Sequence, residues 1–196
     1  LMGHENETVL NLTYNSKNVT ENTLFICKGA AFKEAYLEEA AKSGAFAYIS
    51  EKKYDVNLPY IIVSDIRTAM PILADLYFCR PWEDLNLIGI TGTKGKSTTA
   101  YYIKAIVDDY MAAVGGKESA VISSIDVYDG VERKESHITT PEVVELEEHF
   151  RHAVDCGISW LEMEVSSQAL KYDRVDGITF DVGVFLNISE DHISPI

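Results

Sequence analysis

Apolar and polar positions follow two periods along this chain, and its elements change where the period changes. Residues 24–27 (LFIC) form a short apolar run closed by Lys28-Gly29 and read as a strand. Residues 33–43 are rich in helix formers, and Gly44 stands where a C-terminal cap belongs. Residues 46–49 and 59–63 read as strands. Asp65 is placed to cap a helix over 66–78, with Ile66, Ala69, Ile72, Leu73 and Leu76 expected on its inner face. The break at 80–84 (RPWED) predicts a boundary between a first domain, residues 1–86, and a second, residues 87–196.

The second half alternates strand and helix. Residues 87–91 (LIGIT) read as a strand, 92–97 as a glycine-rich turn, and the following stretch to about 110 as a helix burying Ile103, Ile106, Val107 and Tyr110. Residues 120–127 read as one strand, followed by the turn signal Asp129-Gly130. Thr140-Pro141-Glu142 has the form of a helix start, with Thr140 as N-cap and Val143, Leu146, Phe150 and Val154 facing inward up to about 156. Residues 159–165 and 180–188 are further strands. The latter is so continuously apolar that burial on both faces is expected. The alternation predicts an α/β fold: a small α/β domain followed by a doubly wound domain with a mostly parallel sheet.

Length and composition narrow the class. The chain has 196 residues, 46% hydrophobic and 24% charged, as in ordinary globular proteins. Its net charge of −14 argues against nucleic-acid partners, which require a basic surface. The acidity is concentrated after residue 86: the first part has 8 Lys+Arg against 12 Asp+Glu, the second 9 against 19. No apolar run reaches the length of a membrane span, and no signal-peptide pattern opens the sequence, so a cytoplasmic, monomeric protein without membrane insertion is expected. Cys27, Cys79 and Cys156 lie too far apart for a metal-finger spacing and read as reduced thiols. His149 and His152, beside Glu145 and Glu148, read as an exposed polar helix face.

Chemistry concentrates at Gly92-Thr93-Lys94-Gly95-Lys96-Ser97-Thr98. A strand ending in a glycine turn that opens a helix aims backbone N–H groups at one point, beside the positive end of the helix dipole. Lys96 supplies a cation for β/γ-phosphates, and the Ser97 hydroxyl a ligand for Mg²⁺. The spacing departs from the usual G-x-x-x-x-G-K-[ST]: the first glycine would fall at Ile90, whereas glycines stand at 89 and 92.

Several segments then resemble one family. The run 90–98 (ITGTKGKST) is similar to the phosphate loop of the Mur ligases and their folylpolyglutamate synthase cousins. ITTPE at 138–142, MEVSSQA at 163–169, RVDG at 174–177 and FDVGVFLNISEDH at 180–192 resemble the MurE type, the UDP-N-acetylmuramoyl-dipeptide ligases. Upstream, LTYNSK at 12–17 resembles the family's uridine-binding segment, with Asn15 and Lys17 in place of its Asp and Arg.

The resemblance implies a reaction in which ATP phosphorylates a substrate carboxylate and an amino acid attacks the acyl phosphate to form an amide. It implies Gly92 to Thr98 as the triphosphate cradle, Lys96, Glu164 and His192 as catalytic groups, and Ser97, Glu164 and His192 as ligands of Mg²⁺. Ser16 corresponds to the uridine contact. Thr139, Thr140, Ser166 and Arg174 correspond to contacts with the muramoyl-peptide part. Plainer readings exist: Thr140 and Ser166 as helix caps, Arg174 as a surface cation. The wording FLNISEDHISPI is closer to L-lysine-adding than to meso-diaminopimelate-adding members. A GTPase-like switch is disfavoured, since no NKxD occurs, and a folylpolyglutamate-synthase-like ligase lacks the TTPE pattern. A non-catalytic nucleotide-binding role stays open. In the family the carbamylated lysine and the amino-acid-binding domain lie beyond the stretch matching this chain, which is expected to bind ligands without turning over alone.

Overall fold

The computed structural model describes residues 8–29 and 32–190. The chain forms two compact units, the first ending at Tyr77 and the second beginning at Phe78.

In the first unit the strands are β1 (Asn11–Thr13), β2 (Thr23–Ile26), β3 (Ala45–Ser50) and β4 (Tyr60–Ile62), with helices α1 (Glu34–Ser43) and α2 (Ile66–Phe78). The strands pair in parallel in the order β1-β2-β3-β4. Phe25, Cys27, Leu37, Ala40 and Tyr48 fill the core between sheet and α1. Gly44 ends α1 with a left-handed φ of 115°, its N–H donating to the Ala40 carbonyl. A Cβ at Gly44 would stand 3.0 Å from the Thr20 carbonyl oxygen, so glycine is required there on two counts. Asp65 does cap α2, accepting from the Arg67 N–H at 2.8 Å. Of the expected stripe the helix buries Ile66, while Met70, Pro71 and Ala74 take the other buried positions and Ile72 and Leu76 are exposed.

The second unit contains β5 (Asn86–Thr91), α3 (Lys96–Ala113), β6 (Ala120–Ile122), β7 (Asp126–Tyr128), β8 (Arg133–Glu135), α4 (Val143–Asp155), β9 (Trp160–Glu164), α5 (Ser167–Lys171) and β10 (Val182–Phe185). Their order in the sheet is β10-β5-β9-β6-β7-β8, parallel as far as β6 and antiparallel beyond it. Leu87, Leu161 and Met163 face a core shared with Leu146 and Phe150 of α4. Ile88 and Ile90 face the other way, with Ala100 of α3. Covered on both sides, β5 has the unbroken apolar run expected of a central parallel strand.

Four expectations need correction here. The stretch 120–127 is not one strand but β6 and β7, paired antiparallel after a turn at Ser123-Ser124. The apolar segment 180–188 is not buried on both faces: β10 pairs with β5 alone among the described strands, and Val182, Phe185 and Ile188 are exposed. Helix α4 begins at Val143 with Glu142 as N-cap, so Thr140 is not the cap. Helix α3 turns Ala100 and Lys104 inward and leaves Ile106 and Tyr110 exposed. Its buried face is polar because the Lys104 ammonium meets Asp108 at 2.9 Å and the Ser119 carbonyl, an arrangement apolar periodicity cannot register.

Candidate functional site

β5 delivers the chain to the loop 92–95, and α3 carries it away. Gly92 and Gly95 both adopt positive φ, 144° and 89°. A Cβ on Gly92 would lie 3.1 Å from the backbone of Asn187, so the loop's close approach to the segment after β10 depends on this glycine. That segment holds the loop: Thr93 N–H donates to the Asn187 carbonyl at 3.1 Å, and Ser189 N–H donates to Thr93 Oγ1 at 2.9 Å. The Asn187 side chain accepts from Lys94 N–H at 3.1 Å and donates to the Lys94 carbonyl at 2.9 Å. Lys96, first residue of α3, folds back so that Nζ donates to the Gly92 carbonyl at 2.9 Å. Lys94 and Thr98 are exposed.

β9 ends beside this loop. Pairing of Ile88 with Glu162 and Ile90 with Glu164 puts both carboxylates on the sheet face toward α3. Glu164 is 1% exposed. Its Oε1 accepts from the Ser124 N–H at 2.8 Å and from Ser124 Oγ at 3.1 Å, and Ser124 Oγ lies 3.0 Å from Ser97 Oγ. Ser97, Ser124 and Glu164 are thus one chain of hard oxygen donors at the carboxyl ends of the parallel strands, where open α/β sheets bind their ligands. The donor set fits Mg²⁺, which prefers carboxylate and hydroxyl oxygens.

Thr140 Oγ1 donates to the Glu164 carbonyl at 2.8 Å and accepts from Ser166 N–H at 3.0 Å. Ser166 caps α5, accepting from Ala169 N–H at 3.1 Å. Arg174 donates to the Thr140 carbonyl at 3.1 Å and pairs with Glu142 at 2.8 Å, which makes it a half-buried brace rather than a surface cation. Half-buried Thr139 adjoins this cluster in sequence. The second unit therefore gathers Lys96, Ser97, Glu164, Thr140, Ser166 and Arg174 around the end of β9. His192 lies outside the described residues.

Ser16 belongs to the first unit, in the 3-10 turn Ser16–Asn18, where its hydroxyl donates to Glu39 at 2.6 Å. That unit also has a cavity of about 490 Å³, lined among others by Cys27, Gly29, Phe32, Tyr54 and Arg67. Ser16 does not line it. The Phe32 and Tyr54 rings meet there with centroids 5.4 Å apart.

Sequence reading passed over Ser124 and Asn187. The signal for Ser124 is a serine pair directly after a short apolar strand. Asn187 is a lone amide in an apolar run. The expectation for His149 and His152 is overturned: His149 is buried, and both rings contact the buried Asp129 carboxylate.

Comparison with known proteins agrees with this geometry. The Mur ligase middle domain family matches residues 90–195. A UDP-N-acetylmuramyl-tripeptide synthetase of Bifidobacterium longum (strain NCC 2705) is 46% identical over 193 residues, 97% of this chain and 36% of that protein. The UDP-N-acetylmuramoyl-L-alanyl-D-glutamate–L-lysine ligase of Streptococcus pneumoniae serotype 4 (strain ATCC BAA-334 / TIGR4) is 46% identical over 186 residues, 94% of this chain and 37% of that protein. The chain thus spans little more than a third of the length of these relatives. Among solved structures, a UDP-N-acetylmuramoyl-L-alanyl-D-glutamate–2,6-diaminopimelate ligase superposes with a TM-score of 0.75 at 22% identity, over 96% of this chain and 38% of that one. MurF ligase from Thermotoga maritima in complex with ADP gives 0.58 at 23% identity, over 94% and 39%. These two show a shared fold.

Proposed function

The chain belongs to the Mur ligase family, and on that premise we propose that it supplies the nucleotide- and UDP-sugar-handling parts of an ATP-dependent amide ligase of the MurE type. The substrates are UDP-N-acetylmuramoyl-L-Ala-D-Glu, ATP and an amino acid, with L-lysine favoured by the name of the pneumococcal relative. The enzyme acts as a cytoplasmic monomer. No helix among the described residues is long and apolar enough to cross a membrane.

The observation that carries this reading is the Ser97–Ser124–Glu164 chain beside the loop whose lysine folds over Gly92. In the first step a substrate carboxylate oxygen attacks the γ-phosphorus of ATP, the bond to ADP breaks, and an acyl phosphate forms. The amine then attacks the acyl carbon, phosphate departs, and the nitrogen loses a proton to leave an amide. Two anions meet in the first step, so neutralisation and positioning are the tasks of the site. Lys96 Nζ exchanges the Gly92 carbonyl for β/γ-phosphate oxygens, and the loop amides at the start of α3 hold the same phosphates. Ser97 and Glu164, with Ser124 between them, would hold Mg²⁺, which supplies positive charge to the phosphates; His192 is a further ligand on the family pattern.

Thr140, Ser166 and Arg174, with Thr139 alongside, receive the muramoyl-peptide end. For the uridine diphosphate end, the first unit offers its cavity, with Phe32 and Tyr54 for the base and Arg67 for the phosphates. Ser16, held by Glu39, takes the uridine-side role only if the nucleotide reaches beyond that cavity.

Calorimetric titration of the chain with Mg-ATP tests the reading. Saturable binding lost in Lys96→Ala is expected, together with a larger rise in melting temperature from UDP-N-acetylmuramoyl-L-Ala-D-Glu than from UDP. Equal ATP affinity in both proteins overturns the nucleotide assignment. Equal shifts from the two uridine ligands overturn the muramoyl-peptide assignment.

A further inference from the structure

Away from the phosphate loop, the second unit contains a convergence that the ligase reaction does not use. Asp129 follows β7 in the turn to β8, and its side chain is fully buried. Its Oδ1 accepts the Val131 and Glu132 N–H groups, both at 2.9 Å, which fixes the carboxylate in the turn. Its Oδ2 is left to two imidazoles from one face of α4: His149 Nδ1 at 2.7 Å and His152 Nδ1 at 2.8 Å. The three donor atoms lie within 4.8 Å of one another. Glu132 Oε1, 3.9 Å from His149 Nδ1, is a fourth oxygen close by. Burial raises the Asp129 carboxyl, but the hydrogen bonds from His149, the Glu132 amide, His152 and the Val131 amide outweigh it and hold the group well below the usual range.

We propose that Asp129, His149 and His152 form a binding site for a first-row transition ion, Zn²⁺ in the first instance, which ties the β7–β8 turn to α4. Two imidazoles and one carboxylate are a zinc donor set, whereas Mg²⁺ selects oxygens. Around a four-coordinate ion with metal–ligand distances of about 2.0–2.2 Å, neighbouring ligand atoms stand roughly 3.3 Å apart. The two nitrogen–oxygen contacts, at 2.7 and 2.8 Å, therefore need to open by only about half an ångström. A neutral ring that now donates from Nδ1 coordinates by moving that proton to Nε2, so no net proton is released. Glu132 or water completes the shell, since His152 is half-exposed and opens the site to solvent.

The site and the phosphate loop lie at opposite ends of the parallel strands. Val121 pairs with Tyr128, and β6 runs parallel to β9. Asp129, just past Tyr128, is thus at the end where the parallel strands begin, while Glu164 is where β9 ends. The fold separates a site with two imidazoles from the oxygen donors Ser97, Ser124 and Glu164.

The test is titration of the chelator-treated 196-residue chain with Co²⁺, followed by visible absorption, and with Zn²⁺, followed by melting temperature. One Co²⁺ per chain with intense four-coordinate bands and no thiolate charge-transfer band is expected. Zn²⁺ should raise the melting temperature. His152→Gln, at a half-exposed position that tolerates change, should weaken binding by more than about tenfold and abolish the thermal shift. Asp129→Asn should behave likewise, and Glu164→Gln at the other end of the strands should leave the Co²⁺ spectrum intact. Two results overturn the proposal: no saturable Co²⁺ or Zn²⁺ binding by the wild-type chain, or a spectrum and thermal shift unchanged in a His152→Gln variant whose far-UV circular dichroism is native. Either one leaves the three residues as a hydrogen-bonded clasp.

Discussion

Asn187 grips the backbone of Lys94 with both ends of its amide, accepting from the N–H at 3.1 Å and donating to the carbonyl at 2.9 Å. A side chain 93 positions downstream therefore does for the phosphate loop what a neighbouring strand does for a strand. It satisfies the peptide on both sides and fixes its plane. Truncation to Asn187→Ala removes two hydrogen bonds of about 0.5–1.5 kcal/mol each. Mg-ATP affinity should fall roughly tenfold, read by calorimetry, with the melting temperature changing little because both partners are exposed. Unaltered affinity would mean that the loop keeps its shape without the clamp.

Thr140 acts as a tie between β9 and the start of α5, not as the cap of α4. Thr140→Val keeps the shape but leaves the half-buried Ser166 N–H without its acceptor and the Glu164 carbonyl without the hydroxyl donor, at a cost of about 1–3 kcal/mol. Thr140→Ser keeps both bonds and should lie near wild type in urea unfolding. If valine and serine are equally tolerated, the tie contributes nothing.

The Glu162 carboxyl is fully buried, and burial pushes it up to about 7, with Ser119 and Lys104 opposing only in part. An unfolded chain titrates this group at its ordinary value of 4.5. Between those two values the folded protein holds more protons, so stability falls as pH rises through the window and levels off above it. Glu162→Gln removes the dependence. The stability of the variant relative to wild type should grow between pH 5 and pH 8 by up to about 3 kcal/mol, whatever the amide itself costs. Unfolding curves that shift in parallel with pH for both proteins would contradict this.

Of the three free thiols, Cys79 is exposed, Cys156 half-buried and Cys27 buried. Burial pushes the Cys27 thiol up to about 12. At pH 8 its thiolate fraction is on the order of one in ten thousand. A thiol reagent followed by mass spectrometry should mark Cys79 first and leave Cys27 unmodified until the chain unfolds. Early labelling of Cys27 would mean that the cavity it lines admits the reagent and ionises it.

What was legible in the sequence was local. Gly92 to Thr98 announces itself because strand end, turn and helix start are contiguous, and α1 with its Gly44 cap is equally self-contained. The hidden features depend on partners far along the chain. Ser124 matters because Glu164 stands beside it, and Asn187 because the loop passes it. Apolar spacing misjudged the inner face of α3 because Lys104 is buried against Asp108 and Ser119. His149 and His152 read as surface because nothing nearby in sequence indicates that Asp129 is buried beneath them. The segment 180–188 misled in the opposite sense: its apolar run matches a central strand, yet among the described strands it pairs with β5 alone.

The clamp at Asn187 also sets an order of events at the ribosome. Lys94 leaves the exit tunnel 93 positions ahead of the residue that fixes it. At elongation rates of about 5–20 residues per second, that is a wait of roughly 5–20 seconds. During this interval β5 has neither of its sheet neighbours, since β9 and β10 are both made later. Its apolar side chains are then open to chaperones and to other nascent chains. Competence to hold a nucleotide thus arrives late, with the segment that follows β10, and a synthesis pause before Asn187 would prolong the vulnerable period without changing any residue of the finished site.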